Sequence, residues 1–316
     1  MDESLTLTDV PGLLVGHAES HGTGCTAVLC PEGFTPGVHV PGFAPGTRDL
    51  DLMRAENSVT QIHGLYLGGG SAFGLAGADG VVRFLREQGV GIAMPDARIP
   101  LAPGAILYDL DRNEKPGELP DAAMGYAAAR AAHAGPVERG RVGAACGARC
   151  GRLFSLLPHS GDGHDGTTPG GLGSWGLRAG EVVVAALVAV NSLGAVHDPD
   201  TGRWLAGGVD ARGQRLPAES VWQALQGTVP QGNTTLAVVA TNARLDKAGT
   251  NRVARMASVG LGRAIRPAHL SFDGDVVFAL ARRDGPAASD DLVGALAAEA
   301  LGKAVADAVL QAADER

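Results

Sequence analysis

The chain has 316 residues, of which 45% are hydrophobic and 19% are charged, and its formal net charge is −8. Its 47 glycines and 18 prolines make up about a fifth of the residues, below the ~25–30% of low-complexity chains, so we expect a folded protein with many turns. The acidic balance without a basic cluster argues against a nucleic-acid partner. No apolar run reaches the ~18 residues of a membrane span.

The first residues and the cysteines bear on the cellular compartment. The N-terminal sequence has neither the basic region nor the apolar stretch of a signal peptide. Cys25, Cys30, Cys146 and Cys150 include no C-x-x-C pair, which argues against zinc and thioredoxin-type sites. We therefore expect reduced, mostly buried thiols in a cytoplasmic protein that binds neither membranes nor nucleic acid.

The first part of the chain alternates strand and helix patterns. Residues 12–30 mix glycine with β-branched and apolar residues and predict one or two strands. Residues 31–47 are rich in proline and glycine and predict a surface loop. A short apolar run over 61–67 leads through three glycines to apolar residues at helical spacing, which predict a helix over 72–88. A further strand is predicted over 90–94.

The second part of the chain contains the clearest strand signal. The near-continuous apolar run 181–190 predicts a strand buried on both faces. The other predicted features are an Ala-rich helix over 120–134, a glycine-rich stretch over 136–151, a polar loop over 157–173, amphipathic helices over 251–265 and 291–312, and a hairpin or strand entrance over 272–278. This alternation predicts a layered α/β core. Without an internal repeat or a clear linker, we expect one domain of residues 1–316.

A chemically suggestive motif lies where Gly232, Asn233, Thr234 and Thr235 precede the apolar run 236–242. A chain break before Thr234 would leave a hydroxyl nucleophile and a free α-amine on the same residue. The ordinary pKa of that amine is roughly 7.7–8.0, so it can act as a base near neutral pH. The alternative is a plain turn that leads into a buried strand.

Asp273 and Asp275 are two residues apart, which places both side chains on one face of an extended strand. Two close carboxylates could orient a hydroxyl and hold an adjacent ammonium group, and their proximity would raise one carboxyl pKa. The alternative is an Asp-Gly turn with solvated carboxylates.

Asn191 ends the apolar strand, where its side-chain N–H could donate to an oxyanion or simply stabilise a turn.

Two further patterns suggest ligand sites that we do not favour. The glycine-rich run 68–74 lacks the G-K-[S/T] ending of a phosphate loop and fits a turn into a helix whose first amides face the cleft. The histidines and aspartates of the 157–173 loop, which are His159, Asp162, His164 and Asp165, lack the fixed scaffold that a metal site needs. We expect neither a metal nor a cofactor.

Six segments in register carry a resemblance to a known family. They are LTDVPGLLVGH (7–17), GCTAVL (24–29), PGTRD (45–49), HGLYLGGGSAFGL (63–75), ADGV (78–81) and PGAILYDL (103–110). In this order, they closely resemble self-processing N-terminal-nucleophile peptidases, which include D-aminopeptidases and β-peptidyl aminopeptidases with a serine nucleophile. The resemblance extends from about residue 7 to about residue 280. The Asn-Thr junction is most similar to the nylon-oligomer hydrolase branch, which uses threonine.

The resemblance implies a fold and a processing site. The fold is an αββα sandwich, in which two sheets pack face to face with helices outside. The family's cut falls between Asn233 and the first hydroxyl residue, which favours Thr234 over Thr235 as the nucleophile. Cleavage there would divide the single domain into a large chain, 1–233, and an associated small chain, 234–316.

The resemblance also implies roles for individual residues. The nylon-hydrolase branch has an Asp-x-Asp pair at the place of Asp273 and Asp275, and the family's Val-Asn-x-x-Gly segment matches Asn191. Tyr108 is placed like a family active-site tyrosine; its alternative is a partly buried strand aromatic. The family usually has lysine at Arg152. Because arginine keeps its proton, we expect an electrostatic role there and no acid–base role.

The predicted function is therefore that of a self-cleaving amide hydrolase acting on peptides or oligoamides, as a homo-oligomer, namely a tetramer of processed heterodimers. One alternative is an acyltransferase of the ornithine acetyltransferase type, which shares the architecture and the self-cleavage. Another is an unprocessed binding protein with the same fold. If the α-amine is not the base, His17, His63 and His269 are the histidines to consider, although no motif singles them out.

Overall fold

The computed structural model describes residues 5–112, 118–157, 166–226 and 232–314. Within these ranges the α-helices are α1 (Gly77–Glu87), α2 (Ala122–Ala131), α3 (Ser220–Leu225), α4 (Lys247–Ala264) and α5 (Asp290–Asp314). The strands of the same ranges are β1 (Leu14–Ser20), β2 (Thr23–His39), β3 (Gly46–Arg48), β4 (Ile62–Gly68), β5 (Ile92–Ala93), β6 (Arg98–Ile99), β7 (Gly104–Ile106), β8 (Arg149–Cys150), β9 (Thr168–Pro169), β10 (Gly171–Ala179), β11 (Val182–Val190), β12 (Ala195–His197), β13 (Trp204–Ala206), β14 (Leu236–Arg244), β15 (Ile265–Arg266) and β16 (Val276–Arg282).

The long strand β2 joins two sheets. Its residues 35–39 pair with β16 in a sheet of order β10-β11-β14-β16-β2. Its residues 23–29 pair with β1 on one side and β4 on the other, and β4 is followed by β7 and β3. The pairing register shifts between Leu29 and Phe34, where the strand passes from one sheet to the other.

The core is arranged in layers, and β11 illustrates how. Its even-numbered residues, such as Val184 and Val188, pack with apolar residues of α4 and α5. Its odd-numbered residues, such as Val183 and Leu187, pack with residues of the second sheet, including Val28 and Leu65. Because successive side chains of a strand point to opposite faces, this pattern shows a strand covered on both sides.

The second sheet is covered on its other face by α1 and α2. Tyr66 of β4 and Ala27 of β2 pack there against Val81 of α1 and Ala128 of α2. The order of layers is therefore α4/α5, first sheet, second sheet, α1/α2. This confirms the predicted αββα sandwich, and the predicted strand over 181–190 and the helices over 251–265 and 291–312 are confirmed within a few residues.

The loop predicted over 31–47 is wrong in its first half, because residues 31–39 belong to β2. The glycines and prolines that suggested a loop have other causes. Gly33, with φ of +82°, lies in the bend between the sheets. A Cβ at Gly37 would clash with the carbonyl group of Thr250 in α4, so glycine here allows the helix to approach the strand backbone closely.

Other differences are local. The end of the loop predicted over 157–173 belongs to β9 and β10, whereas residues 158–165, with the four candidate metal ligands, lie outside the described residues. The strand predicted over 90–94 is reduced to Ile92–Ala93, and the predicted helix over 72–88 begins as a 3₁₀ turn, Ser71–Ala76, before α1.

All four cysteines are unpaired and at least partly buried, as predicted. Among the described helices, none is both long and apolar enough to span a membrane.

Candidate active site

The Gly-Asn-Thr-Thr motif lies at the entrance to β14, in the middle of the first sheet. Thr234 N–H donates to the carbonyl oxygen of Asn191 at 2.9 Å, which extends the pairing with β11. Asn233 forms a parallel bridge with Asp273, which extends the pairing with β16. The two neighbouring strands therefore deliver Asn191 and the two aspartates to Thr234, which brings most of the predicted site residues together.

The hydroxyl group of Thr234 is buried, since the residue is only 4% exposed. Its Oγ1 donates to the carbonyl oxygen of Asn233 at 2.6 Å. The same oxygen accepts the N–H of Gly274 at 2.9 Å. A Cβ at Gly274 would lie well inside 3.0 Å of Thr234 Oγ1, so the hydroxyl packs directly against the glycine. This geometry places the hydroxyl beside the predicted scissile carbonyl group, which already has a backbone donor.

Asn233 is held firmly on the acyl side of that bond. Its side-chain amide, oriented with nitrogen toward Gly232 O (2.8 Å) and oxygen toward Leu193 N–H (3.3 Å), has both partners satisfied. Gly232 has φ of +85° and lies on the ring of Tyr108, where an added Cβ would be 2.6 Å from Cγ. The segment before the predicted cut therefore rests against Tyr108 in a fixed conformation.

Asp275 is linked to the residue after the predicted nucleophile. Its Oδ1 accepts the N–H of Thr235 at 2.7 Å. Its Oδ2 lies 2.7 Å from Nδ1 of His269, which donates to the carboxylate. The side chain of Asp275 is 5% exposed and that of His269 is 24% exposed. The contact of Asp275 with Thr234 is thus indirect, through the backbone of Thr235.

Asp273 is buried, and its Oδ2 accepts the backbone N–H of Leu270 at 2.6 Å. Burial, and secondly the negative charge of Asp275, raise the pKa of Asp273 well above the usual range of an aspartate. Two close carboxylates that share one proton are a recurring arrangement in acid–base sites. The solvated turn considered for this pair does not describe it, because both side chains are buried.

Asn191 connects three segments around Thr234. Besides its backbone bond to Thr234, its side-chain Oδ1 accepts Arg149 N–H at 3.0 Å and its Nδ2 donates to Tyr108 O at 2.9 Å. The amide nitrogen carries two hydrogens, so one donor remains for an oxyanion. The predicted oxyanion role stays a prediction, and the side chain also fixes Tyr108 in place.

Arg152 reaches the site through Tyr108. Its guanidinium lies 5.4 Å from the centre of the Tyr108 ring, a cation–π distance, and it forms an ion pair with Asp111. This arrangement is compatible with the predicted electrostatic role, because a permanent positive charge lies next to the ring that supports the acyl segment.

Sequence reasoning assigned no role to Gly274, and it named His269 only as one of three histidines to consider as an alternative base. The Asp-Gly-Asp pattern suggested a turn, and only the fold reveals that the N–H of Gly274 points to the Asn233 carbonyl oxygen. His269 is six residues before Asp275, and its backbone is left-handed, with φ of +57°. No local sequence pattern could have signalled this contact, because the backbone conformation of His269 is visible only in the fold.

A cavity of about 510 Å³ lies elsewhere on the surface, lined among others by Trp204, Trp222, Arg215 and Arg266. In the described part of the chain, none of the predicted site residues lines it. The candidate active site is therefore the buried cluster around Thr234.

Comparison with solved structures defines the class of fold. A β-aminopeptidase of Burkholderia sp. superposes with a TM-score of 0.67 at 23% identity, covering 97% of this chain and 85% of that chain. An L-aminopeptidase D-Ala-esterase/amidase of Ochrobactrum anthropi, described as a variant of the Ntn hydrolase fold, gives a TM-score of 0.67 at 19% identity and covers 97% and 86% of the two chains. The chain has the fold of these N-terminal-nucleophile hydrolases.

Sequence comparison then gives the family. A protein of Mycobacterium tuberculosis named "uncharacterized aminopeptidase" is 39% identical over 341 aligned positions, covering 97% of this chain and 94% of that protein. A 6-aminohexanoate-oligomer endohydrolase of Agromyces sp. is 30% identical over 280 positions, covering 86% and 73%. The model of peptidase family S58 matches residues 6–315. The chain belongs to peptidase family S58 and is a hydrolase.

Proposed function

We propose that this chain is a precursor that cleaves itself between Asn233 and Thr234 and then hydrolyses amide bonds with Thr234 as the nucleophile. The observation that carries the proposal is the shared acceptor: the carbonyl oxygen of Asn233 receives both the Thr234 hydroxyl, at 2.6 Å, and the Gly274 N–H, at 2.9 Å. Because a carbonyl carbon is only about 1.23 Å from its oxygen, the nucleophile lies next to the atom it has to attack.

Self-cleavage would proceed by an N→O acyl shift. Thr234 Oγ1 adds to the carbonyl carbon of Asn233, and the oxyanion that forms is stabilised by the N–H of Gly274. The bond from that carbon to the nitrogen of Thr234 breaks, and the nitrogen takes the proton that the hydroxyl loses. Water then hydrolyses the resulting ester, which leaves a carboxylate on Asn233 and a free α-amine on Thr234.

In turnover, the same groups would act on the amide bond of a separate substrate molecule. The α-amine of Thr234, held near the carbonyl oxygen of Asn191, accepts the hydroxyl proton as Oγ1 attacks the substrate amide. Gly274 N–H and the free hydrogen of Asn191 Nδ2 are the donors available for the oxyanion. The amine passes its proton to the leaving nitrogen, and water releases the acyl group. This sequence needs only groups of the chain itself.

The substrate class is a peptide or an oligoamide. The relatives named aminopeptidase and 6-aminohexanoate-oligomer endohydrolase both imply cleavage of an amide bond. In the intact chain, Gly232 and Asn233 occupy the acyl side of the site, against Tyr108. Once this segment moves away, the acyl part of a substrate takes its place.

Three variants test the proposal. Thr234→Ala lacks the nucleophile, so it should remain a single chain of 32.0 kDa and release no amine from peptide amides or 6-aminohexanoate oligomers. Thr234→Ser keeps a hydroxyl and should still cleave. Thr235→Ala is the matched control, because Thr235 contacts Asp275 through its backbone N–H, and it should be processed normally. Normal processing of Thr234→Ala on a denaturing gel would overturn the proposal.

A further inference from the structure

Each oxygen of the Asp275 carboxylate accepts a hydrogen bond, although one bond would be enough to orient the backbone of Thr235. One oxygen accepts the N–H of Thr235 and the other accepts Nδ1–H of His269, each at 2.7 Å. Its neighbour Asp273, on the other side of Gly274, has one backbone donor, from Leu270. Donors to a carboxylate favour its ionised form, so the pair is asymmetric, and Asp275 is the better place for the negative charge.

We propose that His269 is a positioning residue of the active site, which holds the Asp275 carboxylate aimed at Thr235 and, as a donor, favours its ionised form over that of Asp273. The inference rests on the proposed function, because it concerns the site around Thr234. His269 does not touch the reacting atoms and acts through Asp275.

The difference in charge between Asp273 and Asp275 affects the stability of an oxyanion at the proposed site. Gly274, the donor to the Asn233 carbonyl oxygen, lies between the two aspartates in the chain. Two ionised carboxylates flanking that donor would repel an oxyanion that forms there. With Asp273 neutral, only one negative charge remains, and it is engaged by the two N–H donors. Burial and the charge of Asp275 raise the pKa of Asp273, in agreement with a neutral Asp273.

The second consequence is mechanical. Asp275 Oδ1 fixes the backbone N–H directly after Thr234, while Asn191 fixes the N–H of Thr234 itself. The left-handed backbone of His269, with φ of +57°, accompanies the contact of the imidazole with Oδ2 of Asp275. Loss of that contact would remove one of the two hydrogen bonds that orient the Asp275 carboxylate, and would so weaken one of the backbone contacts that hold the segment carrying the nucleophile.

A second histidine of this neighbourhood provides a control. Burial, and then the charges of Arg255 and His269, lower the pKa of His39. His269 therefore has Asp275 and His39 as neighbours, and Arg255 faces His39. His39 ends β2, whereas the two donors to the Asp275 carboxylate are His269 and Thr235, so His39 is a histidine of the same neighbourhood without the proposed role.

The test uses two substitutions that both tolerate a positive φ. His269→Gly removes the donor, whereas His269→Asn keeps a neutral N–H donor near the position of Nδ1. In the full chain with ¹³C-labelled aspartate, the Asp275 carboxyl signal is assigned with Asp275→Asn and followed against pH. We expect its titration to move up by about one pH unit or more in His269→Gly, and to stay within a few tenths of a unit of wild type in His269→Asn and His39→Gln.

Turnover provides the second measurement. We expect kcat to fall about tenfold or more in His269→Gly with KM within a factor of two, and to recover in His269→Asn. An unchanged Asp275 titration in His269→Gly, or equal defects in the Gly and Asn variants, would overturn the inference. A wild-type chain that neither cleaves itself nor hydrolyses amides would refute the proposed function, and the carboxyl titration would still decide the role of His269.

Discussion

At the scale of single residues, Gly274 connects the two aspartates to the nucleophile. It approaches the Thr234 hydroxyl more closely than any residue with a Cβ could, and its N–H donates to the carbonyl oxygen that this hydroxyl would attack. In the Asp-Gly-Asp pattern, glycine therefore has a function of its own, which is to allow contact with the nucleophile and supply a backbone donor.

Gly274→Ala should slow self-cleavage by about 10²-fold or more, because displacing one oxyanion donor has effects of that size and the new methyl group would push Thr234 Oγ1 aside. The rate is measured on a denaturing gel during expression and later incubation. Gly262→Ala is the control, since a Cβ at this exposed glycine in α4 would meet no atom within 4 Å. Cleavage of Gly274→Ala at the wild-type rate would refute the role of the glycine.

Asp273→Asn should alter how stability depends on pH. The folded chain binds a proton on Asp273 more tightly than the unfolded chain, because burial and Asp275 raise its pKa. Between about pH 4, the ordinary aspartate range, and this raised pKa, stability therefore falls as pH rises. Asparagine is neutral throughout and keeps an acceptor for Leu270 N–H, so the variant should lose less stability from pH 5 to pH 8.

The comparison is made by urea unfolding of the wild type and the Asp273→Asn variant at each pH. Asp198→Asn is a suitable control, since hydrogen bonds from the backbone and side chain of Thr201 lower the pKa of this half-buried aspartate. Its substitution should not make the decline between pH 5 and pH 8 shallower. Equal slopes for the wild type and Asp273→Asn would contradict a buried, protonated Asp273.

At the scale of elements, close packing between backbones explains why glycine is frequent in this chain and why the loop prediction was wrong for residues 31–39. The strand over 181–190 could be predicted because its signal, a continuous apolar run, is local. The strand over 31–39 could not, because proline and glycine mark turns in most sequences. Here they serve a bent strand that joins two sheets and a strand face against which α4 packs.

Gly37→Ala should lower the free energy of unfolding by about 1–3 kcal/mol, the usual cost of overpacking a core. A Cβ there would collide with the backbone of Thr250 in α4, so the helix would have to move away from β2. Urea unfolding gives the difference. The same substitution at Gly262, on the exposed face of α4, should instead leave the stability unchanged or slightly increase it.

At the scale of the whole molecule, the site depends on contacts that no local pattern encodes. The motif around Thr234 and the two aspartates could be named from the sequence, because they are short and lie next to apolar strands. The alternation of strand and helix patterns predicted a layered α/β core and the family resemblance gave its αββα order, whereas the contact of His269 with Asp275 followed from neither. Both depend on which strands become neighbours, which is decided by the packing of the entire chain.

The fold also determines what cleavage would leave behind. Strands β14 and β16 and helices α4 and α5 follow Thr234, yet β14 pairs with β11 and β16 pairs with β2, which precede it. The small chain would therefore supply the centre of the first sheet and one helical layer. After cleavage, the two chains should remain in one particle and separate only when the protein is unfolded.

The most direct test of self-cleavage is the intact mass of the purified wild-type protein after denaturation. We predict two chains that elute together under native conditions, comprising residues 1–233 and residues 234–316, with threonine at the N-terminus of the smaller one. A single chain of 32.0 kDa that persists through prolonged incubation, or a new terminus at any residue other than Thr234, would contradict the account.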